Sequence, residues 1–210
     1  MKIKYFLQLI TLFLFILVGT PVLADSLTSD EARNWAQNKG NELLSILTSP
    51  ESNEKYEKLD NILLSDVDLE HAARFTVGKY WRQMTEVQQV RYVEVFKKYI
   101  MTIYRTYPLD ISEGNVSFTI DRIISEKKHA NIYATVYIKS VEQNVDQSSQ
   151  GGINVIFVVS KNNNRIQLKD LKIAESSLLM SYRERFYKMI HEDNDDEIDW
   201  FITDLEEQVE

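Results

Sequence analysis

The 210-residue chain contains no cysteine. No disulfide can hold it together and no cysteine can carry a lipid anchor, so stability has to come from an apolar core. Proline and glycine are scarce, at three and six. Beyond residue 24 the only prolines are Pro50 and Pro108, and neither a repeat nor a low-complexity linker divides the chain, which predicts one domain. The three histidines, His71, His129 and His191, are scattered, and none forms a ligand pair at helical spacing, which argues against a zinc site. After the first two dozen residues there is no long hydrophobic run.

The one apolar run, Tyr5 to Val18, is shorter than the roughly 20 residues a membrane helix needs and is followed by Gly19 and Pro21. Lys2 and Lys4 precede it and Val22-Leu23-Ala24 follows, so residues 1–24 read as an export signal cleaved after Ala24. Residues 25–210 are then the mature domain, expected to leave the cytoplasm and to be free in solution. Loss of Lys2 and Lys4 leaves 22 basic against 32 acidic residues, a net charge of −10. That balance argues against nucleic acid or an anionic bilayer as partner. The acid is densest from His191 to Glu197, a run that reads as solvated surface.

Periodicity divides the mature chain into helices, strands and helices. Ser29 opens a helical stretch with Ala32, Trp35, Ala36, Leu43, Ile46 and Leu47 at helical spacing, ended by Thr48-Ser49-Pro50. A second helix carries Tyr56, Leu59, Ile62 and Leu63. Asp66 or Asp68 caps a third, with Leu69, Ala72, Ala73, Thr76 and Val77 inward, up to Gly78. Thr85 to Gln88 forms a capping-box pattern before the longest and most aromatic helix, which Pro108 stops.

The period then becomes two. Val116, Phe118 and Ile120 mark one strand; Ile132, Ala134, Val136 and Ile138 the next; Ile153, Val155, Phe157 and Val159 a third. Gln143 to Gly152 and Lys161 to Asn164 supply polar turns. In a fourth strand the apolar phase shifts from Ile166 and Leu168 to Leu171 and Ile173, which predicts a bulge at Lys169-Asp170. Ser176 or Ser177 caps a helix through Leu178, Leu179, Tyr182, Phe186 and Met189, and a last helix uses Ile198, Phe201, Ile202 and Leu205. The order predicts an α+β fold with an antiparallel, about four-stranded, twisted sheet packed against N-terminal and C-terminal helices.

Chemistry-bearing patterns are few. Asp193, Asp195 and Glu197 alternate as in a calcium loop, but Ile198 stands where that motif wants glycine. Ser176-Ser177 lacks the glycine-flanked elbow of a nucleophile and reads as a helix cap. Gly151-Gly152 lacks the later glycines and lysine of a phosphate loop and reads as a hairpin turn. No catalytic constellation emerges, and no cofactor or metal is expected. Aromatic residues, by contrast, crowd the third and fourth helices: Tyr80, Trp81, Tyr92, Phe96, Tyr99, Tyr104 and Tyr107. Pattern alone does not separate those that pack a core from those that line a cavity.

Two blocks carry a family resemblance. Val77-Gly78-Lys79-Tyr80-Trp81-Arg82, then Thr85, Gln88 or Gln89, Phe96 and Tyr104, resembles the MlaC or toluene-tolerance family of phospholipid-binding proteins. Asp170, Leu171, Ile173, Ser177, Leu178, Tyr182-Arg183 and Phe186 match that family's Asp to Ser to Tyr-Arg to Phe spacing. The chain departs from the family at Ile166, where a tryptophan is usual. It departs again at Ala174-Glu175-Ser176, where Glu-Gly and an apolar residue are usual, and at Glu197, where glycine is usual.

The resemblance implies a soluble, monomeric carrier in the periplasm with an apolar pocket for phospholipid tails. The carrier would pass its cargo between an outer-membrane lipoprotein complex and an inner-membrane ABC transporter bearing an MCE-domain protein. On that reading Val77, Tyr80, Trp81, Phe96, Ile100, Ile103 and Tyr104 form a helical wall of the pocket. Val136, Ile138, Val155 and Phe157 form the sheet wall, and Ile173, Leu178 and Tyr182 close the mouth. Two rival readings are a cone-shaped α+β enzyme using Asp170 and a tyrosine, and a lipid-free envelope adaptor acting through the acidic tail.

Overall fold

The computed structural model describes residues 26–106, 116–138 and 152–209. The expected export signal, the Tyr107-Pro108 helix stop and most of the Gln143 to Gly152 turn lie outside the described residues. Helix α1 (Ser29–Leu47) starts behind Thr28, whose side chain accepts the Glu31 N–H while the Glu31 carboxylate accepts the Thr28 N–H, 2.9 Å away. This reciprocal box satisfies two otherwise orphaned donors. Helix α2 (Asn53–Asp66) is capped by Ser52, and α3 (Leu69–Val77) by Asp68, which accepts from the His71 amide at 2.9 Å.

Gly78, at φ +53°, turns the chain out of α3 into a 3₁₀ turn (Gly78–Arg82). Helix α4 (Glu86–Thr106) follows the expected box: Thr85 N–H donates to Gln88 Oε1 at 2.9 Å, and Gln88 N–H to Thr85 Oγ1 at 3.2 Å.

The strands are β1 (Val116–Glu126), β2 (His129–Ile138), β3 (Ile153–Asn162), β4 (Arg165–Ile173) and a two-residue β5 (Ser176–Ser177). They pair antiparallel in chain order. The sheet thus has five strands where the periodicity indicated about four, because β5 is too short to leave a pattern. Asn163 and Asn164, both at positive φ, make the β3–β4 hairpin, as a type I′ turn requires. The bulge in β4 is where the phase shift put it: Val158 faces Asp170 and Val159 faces Leu168, leaving Lys169 as the extra residue. Lys169 then reaches Asp68 as an ion pair.

Ser177 ends β5 and caps α5 (Leu178–Lys188), accepting the Met180 N–H at 3.1 Å. A π turn (Met189–Asp193) leads to α6 (Ile198–Glu207). The acidic run is therefore not a plain helix. Asp195 and Asp196 have positive φ, and Asp196 accepts a 2.5 Å hydrogen bond from the Tyr80 hydroxyl.

Two apolar cores result. One lies between α1 and the sheet, built on Leu27, Ala32, Ala36, Ala130, Ile132 and Val159. The other joins α3, the 3₁₀ turn, α4, α5 and α6. Its centre is a cluster of rings: Phe186 lies 5.4 to 6.5 Å from Phe201, Tyr99, Tyr182, Phe96 and Tyr92, mostly edge to face. That geometry adds to what burial alone supplies. The buried Tyr92 hydroxyl is partnered by Thr76 Oγ1 at 2.8 Å.

Candidate functional site

An apolar cavity of about 280 Å³ opens between α1, α2 and the sheet. Helix α1 presents Trp35, Ala36, Gly40, Leu43, Leu44 and Leu47 to it, one stripe at helical spacing, and α2 adds Ile62. From the sheet come Val116, Phe118 and Ile120 of β1, Val136 and Ile138 of β2, Phe157 of β3 and Leu168 of β4. Alternation puts these strand residues on one face, and the β4 bulge keeps Leu168 on it. A Cβ on Gly40 would stand 2.3 Å from Phe118 Cζ, so the Phe118 ring lies directly on the helix backbone at this point. Glycine is what permits that approach.

Polar groups at the cavity are Lys39 and Asp66, and they neutralise one another. Lys39 Nζ lies 2.8 Å from Asp66 Oδ2 and 2.9 Å from Glu42 Oε2. The Asp66 carboxylate raises the Lys39 ammonium above its ordinary pKa, with burial pulling the other way. The remaining lining offers neither donor, acceptor nor nucleophile suited to catalysis. Such a surface can exclude water and hold hydrocarbon; it cannot by itself distinguish polar ligands.

The expected site residues divide in two. Val136, Ile138 and Phe157 do line the cavity. Val155 is buried in β3 but does not border it. The expected helical wall is elsewhere: Val77, Tyr80 and Phe96 are buried in the helical core, with Trp81, Ile100 and Ile103 packed against it. The Tyr104 side chain lies outside the described residues. Tyr182 packs edge to face on Tyr99 in that same core, 6.4 Å between centroids. Ile173 and Leu178, expected to close a mouth, are exposed at 45% and 40% and do not border this cavity.

The physical reason is that the aromatic residues of α4 find rings on α5 and α6 to pack against. The sheet is instead faced by the less aromatic α1. The signal for that wall was present in the sequence as Gly40 in the middle of a helix, a residue that favours neither helix nor core unless something packs closely on it.

The Asp170 of the enzyme reading has a structural post. Its carboxylate accepts from Ser177 Oγ at 2.7 Å and from the Leu179 N–H at 3.2 Å, holding the start of α5, and it does not border the cavity. Ser177 is correspondingly engaged as a cap. Among the described residues no group of three or more His, Asp or Glu side chains is placed to hold a metal ion.

Comparison with known proteins agrees with this architecture. No curated protein matches the sequence. A solved structure of the phospholipid-binding protein from Ralstonia solanacearum, in complex with a phospholipid, superposes with a TM-score of 0.67 at 15% identity. The alignment covers 85% of this chain and 96% of that one. The family described as MlaC protein matches residues 37–207, a span that runs from the middle of α1 to the end of α6 and takes in both motif blocks. The chain belongs to the MlaC family.

Proposed function

We propose that this protein is a periplasmic phospholipid carrier, exported through a cleaved N-terminal signal, that holds acyl chains in the cavity between α1, α2 and the sheet. The observation that carries the reading is the cavity itself: a wall of aliphatic and aromatic side chains from four strands and two helices, with its charged pair already internally compensated. The bound phospholipid of the Ralstonia solanacearum protein, whose fold is similar, supports it. The protein acts as a monomer, needs no cofactor and catalyses no reaction. It passes lipid between an outer-membrane lipoprotein complex and an inner-membrane ABC transporter that carries an MCE-domain protein.

Magnitudes constrain how this works. At about 0.8 kcal/mol per buried methylene, one tail of about 15 methylenes represents on the order of 12 kcal/mol of gross hydrophobic free energy. The cavity, at about 280 Å³, lies just below the roughly 300–1,000 Å³ range of small-molecule sites. On this reading the α1–α2 pair moves away from the sheet as acyl chains enter. Loading should loosen the contact of Phe118 with Gly40, and unloading should restore it.

The shuttle step is tested by incubating lipid-loaded protein, carrying a fluorescent phospholipid, with vesicles that contain the MCE-domain transporter and with vesicles that lack it. Faster transfer to the first supports the reading; equal transfer to both removes the proposed partner.

A further inference from the structure

We infer that a second pocket, separate from the apolar cavity, is a binding site for a phosphate group. The pocket has a volume of about 370 Å³ and is lined by His71, Arg74, Phe75, Gly78, Lys79, Arg82 and Arg183. It brings the two motif blocks together, since Gly78 and Arg82 belong to the first and Arg183 to the second. Three guanidinium groups and one ammonium thus share one concavity in a chain with 32 acidic and 24 basic residues.

None of the four takes part in an ion pair with a carboxylate among the described residues. Three carboxylates of the neighbouring elements are engaged elsewhere: Asp68 by Lys169 and the His71 amide, Asp170 by Ser177 and the Leu179 amide, Asp196 by Tyr80 and His191.

Three of the four, Arg74, Lys79 and Arg183, are held in place by aromatic faces instead. Arg183 Cζ lies 5.2 Å from the Phe75 ring centre, Arg74 Cζ 5.1 Å from that of Trp81, and Lys79 Nζ 4.8 Å from that of Tyr80. Stacking orients a guanidinium while leaving its N–H edge free for an anion. Gly78 completes the arrangement, because a Cβ there would meet Arg183 Nη2 at 2.9 Å. Several planar forks around a small concavity suit a tetrahedral, multiply charged oxyanion better than a single carboxylate. The phosphate can be free or can be the head of a lipid. The inference stands on this pocket alone and does not depend on the apolar cavity holding lipid.

The test is a titration of the lipid-stripped full mature chain with inorganic phosphate at low ionic strength, followed by the amide resonances of Gly78, Lys79, Arg82 and Arg183. We expect saturable shifts at these amides. Changing Arg82→Gln and Arg183→Gln together removes two charge-assisted hydrogen bonds and weakens binding at least roughly tenfold. Both side chains are exposed, so the variant keeps its fold, checked by its unchanged remaining spectrum. Changing both to Lys restores only part of the affinity, because the fork is lost.

Dihexanoyl phosphatidic acid identifies the source: tighter binding than inorganic phosphate assigns the site to a lipid head, and equal binding assigns it to free phosphate. The inference is overturned by non-saturable shifts, by shifts that persist in the double Gln variant, or by a glutamate-rich peptide that shifts these amides when phosphate does not.

Discussion

Leu43→Asp and Ile103→Asp should produce opposite phenotypes, although both put a carboxylate where an aliphatic side chain stands. Leu43 lines the cavity from α1 yet is 36% exposed. In the empty protein an aspartate there can turn to water, and folding stability should fall by only about 1 kcal/mol, the ordinary cost of a part-exposed substitution. Once hydrocarbon fills the cavity, the same carboxylate loses water without gaining a partner. Lys39, four residues earlier on the helix, is already committed to Asp66 and Glu42.

The penalty for an unpaired charge against hydrocarbon is several kcal/mol in real proteins. At 1.4 kcal/mol per decade, about 4 kcal/mol weakens lipid binding roughly a thousandfold. Ile103 sits instead against the helical core. An aspartate there should cost about 3 kcal/mol of stability by lost burial and a desolvated charge, but the protein that does fold should keep its lipid. The assay is phospholipid extracted per mole of folded, monomeric protein, alongside urea unfolding of each variant. Undiminished lipid in Leu43→Asp, or a folded Ile103→Asp protein without lipid, would refute the assignment of the cavity.

Other consequences concern the scaffold. The Lys161 ammonium, with the Thr28 backbone and hydroxyl, lowers the Glu31 pKa to about 2. A depressed folded-state pKa adds stability above the unfolded value, roughly pH 4.3, and loses it as pH falls towards 2. Urea midpoints measured from pH 5 to 2 should therefore fall less steeply in Glu31→Gln than in the parent. Glu175 has φ +69° in the turn between β4 and β5, where the family usually has glycine. Glu175→Gly should remove about 1 kcal/mol of left-handed strain and raise the melting temperature by roughly 2–4 °C; an unchanged or lower melting temperature contradicts this.

In the buried pair Thr76 and Tyr92, Thr76 also donates to the Ala72 or Ala73 carbonyl, whereas Thr76 is the hydroxyl partner of Tyr92. Thr76→Val, which strands the tyrosine hydroxyl, should therefore destabilise more than Tyr92→Phe, by about 1 kcal/mol in urea unfolding.

Much of the scaffold could be read from local chemistry. The Thr85/Gln88 box, a cap at Asp66 or Asp68, a polar turn within Lys161 to Asn164 and a bulge at Lys169-Asp170 each depend on neighbours a few residues apart; the structure forms the box and places the cap at Asp68, the turn at Asn163-Asn164 and the extra residue at Lys169. The two-residue β5 left no periodicity to detect. The cavity was harder, since an amphipathic helix announces that it has an apolar face without saying which partner that face meets. Helix α4 has the richer stripe, and the family resemblance points that stripe at the cavity. Its rings found Phe186 and Phe201, more than 80 residues away in sequence, and closed into a solid core.

The sheet wall came out better because alternation fixes a face once the strands are known, so Val136, Ile138 and Phe157 fell in place. The basic pocket could not be foreseen, because Arg82 and Arg183 lie 101 positions apart and meet only through the packing of α3 on α5.

The central claim is that the cavity between α1, α2 and the sheet carries phospholipid, and the most direct measurement is native mass spectrometry of residues 25–210 produced in and purified from a bacterial periplasm. The account predicts a one-to-one adduct with the mass of a phospholipid, with mixed head groups, because an apolar lining selects tails and not heads. A protein that emerges without lipid and takes none up from vesicles would contradict it.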